Sequence, residues 1–327
     1  MRHHGTTLIP QCYLVAILAT LFCVLVPACA YSPVCYVRES LSRDEASNII
    51  NHQLYPDSQL RKRMNVGDDD QGLAGTAGRG AAIDVSDSRL TLTYHEFPLE
   101  SLDALLDLAA KEYNLLHESS ESSESESQDE DDAQKKSEVF VDIGSGCGRL
   151  VLYESLINDG SRSSSGSDST VPLWKEVHGI EIGTQMHEYA VERCQQGLDE
   201  KYLISSSASS DTDDDSILAA SSSSCSVHFH VGPAGEFTDI LSKADVLFCY
   251  STAFPSDEFN PELGAMILTE EWSNMFAEAC REDTVVITTD RALNPMHGWE
   301  LRNSMDVANP SLLGSTGYIN VLKKKIK

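Results

Sequence analysis

The residues best suited to chemistry in this sequence are an aspartate and three closely spaced glycines, in the order Asp142-Ile-Gly144-Ser145-Gly146-Cys-Gly148. The apolar run VFVDI precedes the glycines and predicts a buried strand, and GRLVLYESLI continues from the last glycine with a helical pattern. Glycines permit a tight turn and a close approach between backbone and ligand, and amide groups at a helix start face that ligand. The segment therefore predicts a loop that binds a nucleoside or a phosphate-bearing molecule. A strand-to-helix turn without a ligand is the alternative.

The spacing of these residues separates one class of ligand from another. Dinucleotide-binding loops carry GxGxxG, whereas this loop carries GxGxG with Asp142 two residues before the first glycine. The GxxxxGK(S/T) loop that cradles phosphates does not occur in the sequence. A second acid, Glu181, ends the next apolar run. A solvated glutamate at a strand end is one interpretation of Glu181.

The elements that position these residues alternate between strand-like and helix-like patterns. The strand-like runs are VFVDIG, EVHGIEI, VHFHVG, DVLFCYS and DTVVITTD, and the helix-like runs between them are GRLVLYESLI, TQMHEYAVERCQQGL, EFTDILSKA and LTEEWSNMFAEAC. This alternation predicts an α/β fold with a doubly wound, mostly parallel, Rossmann-like sheet and helices on both faces. A helix over roughly residues 98–115 precedes the first strand, and GYINVLKK near the end predicts a last, antiparallel strand.

Several segments have compositions that cannot form a packed core. The acidic or serine-rich tracts 117–137, 159–170 and 205–226 fall between predicted elements, so we interpret them as disordered insertions in loops. Residues 31–90 show little apolar periodicity and predict a disordered leader. The globular part of the chain is therefore predicted to be one domain over residues 91–327.

The first 30 residues predict a secretory signal peptide. A weakly basic start, an uncharged apolar run, a proline and the small-residue site Ala28-Cys29-Ala30 follow one another in the expected order. The predicted localisation is the secretory pathway or an organelle after cleavage of this segment. A retained membrane anchor is one alternative, and contact with a membrane is expected only in that case. A mis-started gene model is the other alternative and would allow a nuclear protein.

The charge balance argues against a nucleic-acid partner. The chain has 24 Lys and Arg residues against 51 Asp and Glu residues, a formal net charge of -27. Such a charge favours solubility and opposes contact with DNA, RNA or anionic lipid. We therefore predict no strong nucleic-acid surface.

The cysteines and histidines show no metal-ligand spacing. Of the nine cysteines, the six that follow the signal segment include no CxxC pair, and we expect them to be buried thiols. The histidines His95, His228, His230 and His297 form no HExxH or similar array, so we expect scattered core or surface roles for them. No metal site is predicted.

The glycine loop and its aspartate resemble the first motif of the class I S-adenosylmethionine-dependent methyltransferases. The resemblance implies a methyltransferase sheet and S-adenosyl-L-methionine as cofactor. It also implies that Asp142 and the backbone of the loop hold the methionine end, while Glu181 binds the ribose hydroxyls. Many relatives carry Gly-Asp after the third strand for the adenine, but here Gly232-Pro233 stands there. The resemblance therefore assigns no adenine contact.

A narrower resemblance covers roughly residues 91–327. The run YSTAF at 250–254 is similar to the Asn-Asn-Phe-Ala-Phe segment of the non-SET histone-lysine methyltransferases of the disruptor-of-telomeric-silencing family. Their Tyr-Gly-Glu segment matches YHE, which ends in Glu96, so the resemblance adds Glu96 to the cofactor-binding residues. In that family the position of Tyr250 lies beside the transferred methyl group. The resemblance therefore implies catalytic roles for Tyr250 and Ser251.

Three interpretations of function remain open from the sequence. The first is a protein lysine N-methyltransferase of the histone-modifying type, whose partner is a protein that carries the acceptor lysine. The second keeps the fold and cofactor but methylates a non-histone protein or a small molecule in an exported or organellar compartment. The third is a catalytically degenerate scaffold that binds the cofactor without turnover, which Pro233, Tyr250 and the predicted disordered insertions suggest.

Overall fold

The structure is a computed structural model of the 327-residue chain. It describes residues 35–37, 41–57, 96–121, 139–157, 174–205 and 225–323. The predicted signal peptide lies outside these residues, as do the whole of the predicted insertion 159–170 and most of the other two. Within the described ranges, no helix is long and apolar enough to cross a membrane.

Twelve strands and six α-helices make up the described part of the chain. The strands are β1 (Cys35–Val37), β2 (Val139–Ile143), β3 (Glu176–Glu181), β4 (Leu203–Ser205), β5 (Ser226–Val231), β6 (Val246–Cys249), β7 (Ser256–Asn260), β8 (Ala265–Leu268), β9 (Val285–Thr289), β10 (Arg291–Ala292), β11 (Trp299–Val307) and β12 (Ser315–Leu322). The helices are α1 (Arg43–Ile49), which continues as a π-helical turn over Ile50–Leu54, α2 (Leu99–Glu121), α3 (Arg149–Leu156), α4 (Thr184–Asp199), α5 (Thr238–Leu241) and α6 (Glu270–Ala279).

A nine-stranded sheet forms the centre of the fold. Its strand order is β11-β12-β9-β6-β2-β3-β5-β1-β4. The neighbours from β9 to β5 are all parallel, whereas β12 runs antiparallel to both β9 and β11, and β1 runs antiparallel to both β4 and β5. The predicted doubly wound, mostly parallel sheet is therefore confirmed, including the antiparallel strand near the end. A second sheet of three short strands has the order β10-β8-β7.

The apolar runs explain why the central strands lie in the middle of the sheet. Every residue of β6 and of β9 is buried, as expected for strands covered on both faces. Alternate residues serve opposite faces, since Phe140 belongs to the core under α2, α3 and α4, whereas Val141 packs with residues of α5 and α6. Strand β11 alternates between buried or half-buried and exposed residues, which fits its place at the sheet edge.

The prediction of a disordered leader over residues 31–90 is wrong for its described parts. Strand β1 is inserted between β4 and β5, and its Cys35 is fully buried. Helix α1 begins with a capping box in which Ser42 and Glu45 bind each other's backbone amides. These apolar stretches are too short to show periodicity by themselves, and they become ordered because the sheet and the core provide partners. The folded domain thus includes residues well before residue 91.

Other boundaries also differ from the sequence-based expectations. Helix α2 extends to Glu121, past the predicted end near residue 115 and into the insertion predicted at 117–137. The insertion predicted at 205–226 begins on the last residue of β4 and ends on the first residue of β5. The strands β4, β7, β8, β10 and β11 were not predicted. They are short or lie at an edge, where the sequence shows little of the apolar pattern of a central strand.

Gly317 of β12 allows the close approach of α2 to the sheet. A Cβ atom at this position would lie 3.0 Å from Cγ of Leu105 and closer still to its two methyl carbons. We expect Gly317→Ala to lower the free energy of unfolding by about 1–3 kcal/mol, because a fully packed core accepts an added carbon only with strain. Chemical denaturation measures the change.

The control is Gly235→Ala, where the nearest atom to an added Cβ is Cγ of Met275 at 3.6 Å, an ordinary contact. Adding Leu105→Ala to Gly317→Ala should give less than the sum of the two separate losses, because the smaller side chain removes the clash. Equal stability of wild type and Gly317→Ala would contradict this description of the packing.

Candidate functional site

The predicted site residues meet at one edge of the sheet. Asp142 is the penultimate residue of β2, Glu181 ends β3, and Tyr250 directly follows β6. Strand β2 lies between β3 and β6. The chain continues from β2 to β3 on one side and later forms β6 on the other side, so the strand order reverses at β2. Open α/β sheets bind ligands at the carboxyl ends of strands where the strand order reverses. Asp142, Glu181 and Tyr250 therefore lie at the carboxyl ends of three neighbouring strands.

The glycine loop has the backbone conformation that its composition predicts. Gly144, Gly146 and Gly148 have φ angles of +73°, +56° and +75°, in the left-handed region that favours glycine. A Cβ on Gly148 would also lie 2.5 Å from Cε1 of Phe229, so this glycine lets α3 pack closely against β5. A Cβ on Gly144 would meet only Cζ of Phe254, at 3.8 Å, which leaves space beside the start of the loop.

Contrary to the expectation from the sequence, the amides of the loop bind atoms of β3 rather than face an open ligand site. The amides of Gly144 and Ser145 donate to the carbonyl oxygen of Ile180 at 2.9 and 3.1 Å. The amide of Gly146 donates to Oε2 of Glu181 at 2.7 Å. Strand β3 therefore satisfies these donors, because the parallel pairing with β2 brings its end against the loop.

Glu181 connects the glycine loop to the next turn. Besides Gly146, its carboxylate accepts a hydrogen bond from the amide of Gly183 through Oε1, at 2.6 Å. Burial raises the pKa of this carboxyl, and the hydrogen bonds from the backbone amides act in the opposite direction. Each carboxylate oxygen has further acceptor capacity, so Glu181 can hold the loop and still accept hydrogen bonds from hydroxyl groups.

Asp142 is a buried carboxyl with a raised pKa. It is 2% exposed, and its Oδ2 has no hydrogen-bond partner among the described residues. Burial raises the pKa of Asp142 to about 8, with smaller contributions from the negative charges of Glu181 and Glu154. Ser145 beside it is also buried, and its Oγ has no partner in the same part of the chain. Buried polar atoms without partners at a strand end suggest a bound ligand.

Residues from the predicted leader hydrogen-bond to the glycine loop and to the first residue of α3. The hydroxyl of Tyr55 donates to the carbonyl oxygen of Cys147 at 2.7 Å. Arg149, the first residue of α3, donates to Oδ1 of Asn51 at 2.8 Å and to the carbonyl oxygen of Phe97 at 3.0 Å. These supporting residues were missed because their partners are distant in sequence. The predicted cofactor residue Glu96 is half-buried and directly precedes Phe97, whose carbonyl oxygen binds Arg149.

The hydroxyl of Tyr250 belongs to a polar network, whereas the hydroxyl of Ser251 is buried between β6 and β9. The hydroxyl of Tyr250 accepts a hydrogen bond from Nδ2 of Asn309 at 2.8 Å, and burial raises its pKa. Ser251 is fully buried, and its Oγ donates to the carbonyl oxygen of Thr289 at 2.8 Å and accepts from the amide of Thr289 at 3.1 Å. The prediction that Ser251 is catalytic is therefore corrected: its hydroxyl joins the end of β6 to β9.

An open cleft of about 650 Å³ lies between the end of β11 and the start of β12, and Asn309 is part of its lining. It is lined by Asp290, Asp306, Val307, Ala308, Asn309, Pro310, Leu313, Gly314, Ser315 and Thr316. Asp290 accepts hydrogen bonds from Oγ of Ser315 at 3.1 Å and from the amide of Thr316 at 2.9 Å. None of the described residues that line the cleft is basic. The cleft is thus acidic, and Asn309 connects it directly to Tyr250.

Three histidines lie together on the neighbouring strands β3 and β5, and two of them, His228 and His230, were expected to be scattered. The imidazole ring of His178 on β3 is stacked on that of His228 on β5, with ring centroids 4.6 Å apart. His230, two residues further along β5, places its Nε2 3.1 Å from Nδ1 of His178. Burial lowers the pKa values of His228 and His230 to about 4. The expectation of scattered histidines is therefore wrong for His228 and His230, because the pairing of β3 and β5 was not visible in the sequence.

Comparison with solved structures finds proteins that are similar to this chain at low sequence identity. No family model matches the sequence, and no curated protein matches it. The chain is similar to an RNA methyltransferase from Salinibacter ruber in complex with S-adenosyl-L-homocysteine, with 16% identity and a TM-score of 0.34 over 71% of this chain and 96% of that chain. It is also similar to the magnesium protoporphyrin IX methyltransferase of Synechocystis PCC 6803 with bound SAH, with 12% identity and a TM-score of 0.35 over 69% of this chain and 83% of that chain. Because these identities and TM-scores are low, the fold assignment rests on the strand order of the sheet.

Replacing Asp142 by asparagine tests its raised pKa. Between about pH 4 and pH 8 the folded protein keeps a proton on Asp142 that the unfolded chain has released, so the free energy of unfolding falls as the pH rises. Asp142→Asn removes this titration. We expect the variant to gain stability relative to wild type as the pH rises through that window, in chemical denaturation at several pH values.

Asp257→Asn serves as the matched control, because Asp257 is exposed on β7. This variant makes the same carboxyl-to-amide change outside the buried site, and the pH dependence of Asp142→Asn is compared with it. A stability difference between Asp142→Asn and wild type that stays constant from about pH 4 to pH 8 would rule out the protonated Asp142 carboxyl.

Proposed function

We propose that this protein is an S-adenosyl-L-methionine-dependent methyltransferase whose acceptor is the side-chain amine of a protein lysine. The observation that carries the proposal is the buried Asp142 carboxyl, with an oxygen that no described residue hydrogen-bonds, beside a glycine loop held by Glu181. The loop pattern resembles that of the class I methyltransferases, and the sheet has the predicted doubly wound order. The histone-lysine specificity of the narrower resemblance remains part of the proposal.

The residues at the loop fit the cofactor. Its methionine part carries an ammonium group, and the Oδ2 atom of Asp142 lacks a hydrogen-bond partner among the described residues. Glu181 retains acceptor capacity for the ribose hydroxyls while it holds Gly146. The space beside Gly144 leaves room for a ligand against the backbone. When bound, the cofactor supplies a methyl group on a positively charged sulfur, which an amine can attack in line.

The acidic cleft supports a cationic acceptor. Asp290 and Asp306 line it, so their charges attract a lysine side chain. The amine must lose a proton to water in the open cleft before it attacks, since the reference pKa of lysine is about 10.4. Burial raises the pKa of Tyr250, so its phenol stays neutral near pH 7 and orients the amine by hydrogen bonding rather than as a base. The net charge of -27 further favours a basic protein segment as substrate.

A second candidate is a scaffold that binds the cofactor without turnover. Pro233 occupies the position where relatives place an adenine-binding acid, and its ring nitrogen has no hydrogen to donate. The Tyr250 hydroxyl also already has Asn309 as a partner. Methylation of a small molecule in an exported or organellar compartment is the remaining alternative, and the apolar N-terminal segment supports that location.

Calorimetric titration of the full chain tests cofactor binding. We expect S-adenosyl-L-methionine and its demethylated product to bind, while ATP and NAD do not. Glu181→Gln should weaken binding by about 1–3 kcal/mol, because the amide loses the charge-assisted hydrogen bonds to the ribose. Asp257→Asn is again the control, and its affinity should equal that of wild type. Unchanged affinity in Glu181→Gln would remove Glu181 from the site.

The acceptor is tested by replacing Tyr250 with phenylalanine. Transfer of labelled methyl groups to histones, to lysine-rich peptides and to small amines identifies the acceptor class. Tyr250→Phe should lower turnover about tenfold through loss of one hydrogen bond of about 1.4 kcal/mol, with unchanged cofactor affinity. Tyr202→Phe, which removes an exposed hydrogen bond to Gln53, should leave turnover unchanged.

The possible results separate the candidates. Turnover of Tyr250→Phe equal to wild type would assign Tyr250 to packing against Phe97, whose ring centroid lies 5.2 Å away. Cofactor binding without methyl transfer to any acceptor would contradict the enzyme and favour the scaffold. Transfer to small amines but not to proteins would contradict the lysine acceptor alone.

A further inference from the structure

We propose that Glu176, His178 and His228 form a binding site for one divalent transition-metal ion, for which Zn²⁺ is the best match. Each residue offers one ligand atom, and the three ligand atoms lie within 4.8 Å of one another. His178 and His228 are register partners in the parallel pair of β3 and β5, so their side chains leave the same face of the sheet. Glu176 precedes His178 by two residues and therefore shares that face.

The ligand set matches the preferences of zinc. Two imidazole nitrogens and one carboxylate oxygen bind Zn²⁺ and leave a fourth position for water, whereas Ca²⁺ and Mg²⁺ prefer oxygen ligands throughout. Nε2 of His178 and Oε2 of Glu176 are 3.0 Å apart. Metal–ligand bonds of about 2.0–2.2 Å place two ligand atoms of a tetrahedral site about 3.3–3.6 Å apart, so these two atoms separate by a few tenths of an ångström when the ion binds. The His228 ring lies within 13° of parallel to that of His178, so the two imidazoles lie side by side above the same face of the sheet.

The remaining ring nitrogens already have partners. Nδ1 of His178 lies 3.1 Å from Nε2 of His230, and Nε2 of His228 lies 2.9 Å from Oγ of Ser226. Outer hydrogen bonds of this kind fix the tautomer and orientation of a metal-binding histidine. They leave Nε2 of His178 and Nδ1 of His228 to face the ion. His230 and Ser226 are therefore positioning residues rather than ligands.

The site is accessible and separate from the proposed cofactor site. His178 is 8% exposed and Glu176 is 45% exposed, so an ion can reach the histidines past the carboxylate. Glu181 lies three residues after His178 at the opposite end of β3, and nothing in the proposed methyl transfer uses the histidines. A bound ion would join β3 to β5 in the half of the sheet that carries Glu181. This inference does not depend on the methyltransferase proposal.

Metal titration of the untagged full-length protein tests the site. After treatment with a chelator, Zn²⁺ is added in competition with a chromophoric chelator, and Co²⁺ is added as a spectroscopic probe. We expect one equivalent of Zn²⁺ and the visible absorption of tetrahedral Co²⁺. His178→Ala and His228→Ala should each lower the affinity at least tenfold, and His230→Ala should lower it less because it removes only an orienting bond.

The control is His52→Ala, which removes an exposed imidazole outside the cluster and should leave the affinity unchanged. His3 and His4 occur in every variant, so any binding at the N-terminus cancels in the comparison. Circular dichroism of the metal-free variants shows whether each one folds, and Glu176→Gln provides a mild ligand change if an alanine variant does not. Absence of stoichiometric Zn²⁺ binding, or equal affinity in wild type and folded His228→Ala, would overturn the proposal.

Two buried cysteines, one on β1 and one on α4, have their sulfur atoms close together. Sγ of Cys35 on β1 lies 2.8 Å from Sγ of Cys194 on α4, and both cysteines are buried. We infer that these two residues form a disulfide under oxidising conditions. A small-molecule disulfide such as oxidised glutathione accepts the two electrons: one cysteine thiolate attacks it and expels one glutathione thiolate to form a mixed disulfide, and the second cysteine thiolate then expels the other. The two protons of the cysteines end on the two glutathione thiols. The bond would attach β1 covalently to the helix that covers it.

Mass spectrometry tests this bond in the full chain. After folding in an oxidising glutathione buffer and alkylation of remaining thiols, we expect a peptide that joins Cys35 and Cys194 and disappears on reduction. Cys35→Ser should lose the linked peptide, whereas Cys280→Ala should retain it. Complete alkylation of both residues in unreduced, unfolded wild type would overturn the inference.

Discussion

The hydrogen bond from the Gly146 amide to the Glu181 carboxylate is the contact on which the site depends. With the bond from Gly183, it joins the loop after β2 to the turn after β3 through one side chain. The three glycines accept the left-handed conformations that this closure requires. Because the carboxylate satisfies a loop amide, the loop has its shape before any ligand binds. Preorganisation of this kind reduces the ordering that binding must otherwise impose.

The same closure explains the electrostatics of Asp142. The loop and β3 exclude water from its carboxyl, while Glu181 adds a second negative charge nearby, and both effects raise its pKa. A buried carboxyl of this kind destabilises the folded chain above its ordinary pKa. Such a residue is explained more simply by a cationic ligand than by packing, since a fully apolar side chain would serve packing better.

The sequence predicted the parts of the site that are local and missed those that depend on distant partners. Asp142, the glycines and Glu181 stand at the ends of apolar strands, so pattern alone places them at one sheet edge. Ser251 was misassigned because its hydroxyl bonds Thr289, 38 residues away, across the pair of β6 and β9. Strand pairing is likewise what brings His178 to His228, and a single sequence does not show such register.

Contacts with residues that are distant in sequence also explain why the described residues of the predicted leader are folded. Cys35 and Tyr55 lie in short segments whose composition resembles that of a linker, and only the core of the domain makes their burial favourable. Their contacts reach α4 and the glycine loop, so the described residues 35–37 and 41–57 belong to the architecture of the site. Fold class was therefore predictable from the sequence, whereas the extent of the domain was not.

Proton release on cofactor binding tests the central claim most directly. Calorimetry of wild type and Asp142→Asn with S-adenosyl-L-methionine, in buffers of different ionisation enthalpy, counts the protons exchanged. With the pKa of Asp142 at about 8, the carboxyl is mostly protonated near pH 7, and an ammonium group beside it lowers that pKa. Wild type should therefore release close to one proton, and Asp142→Asn should bind more weakly and release none. Tight binding to wild type with no dependence on the buffer would contradict the role of Asp142 as the partner of the cofactor's ammonium group.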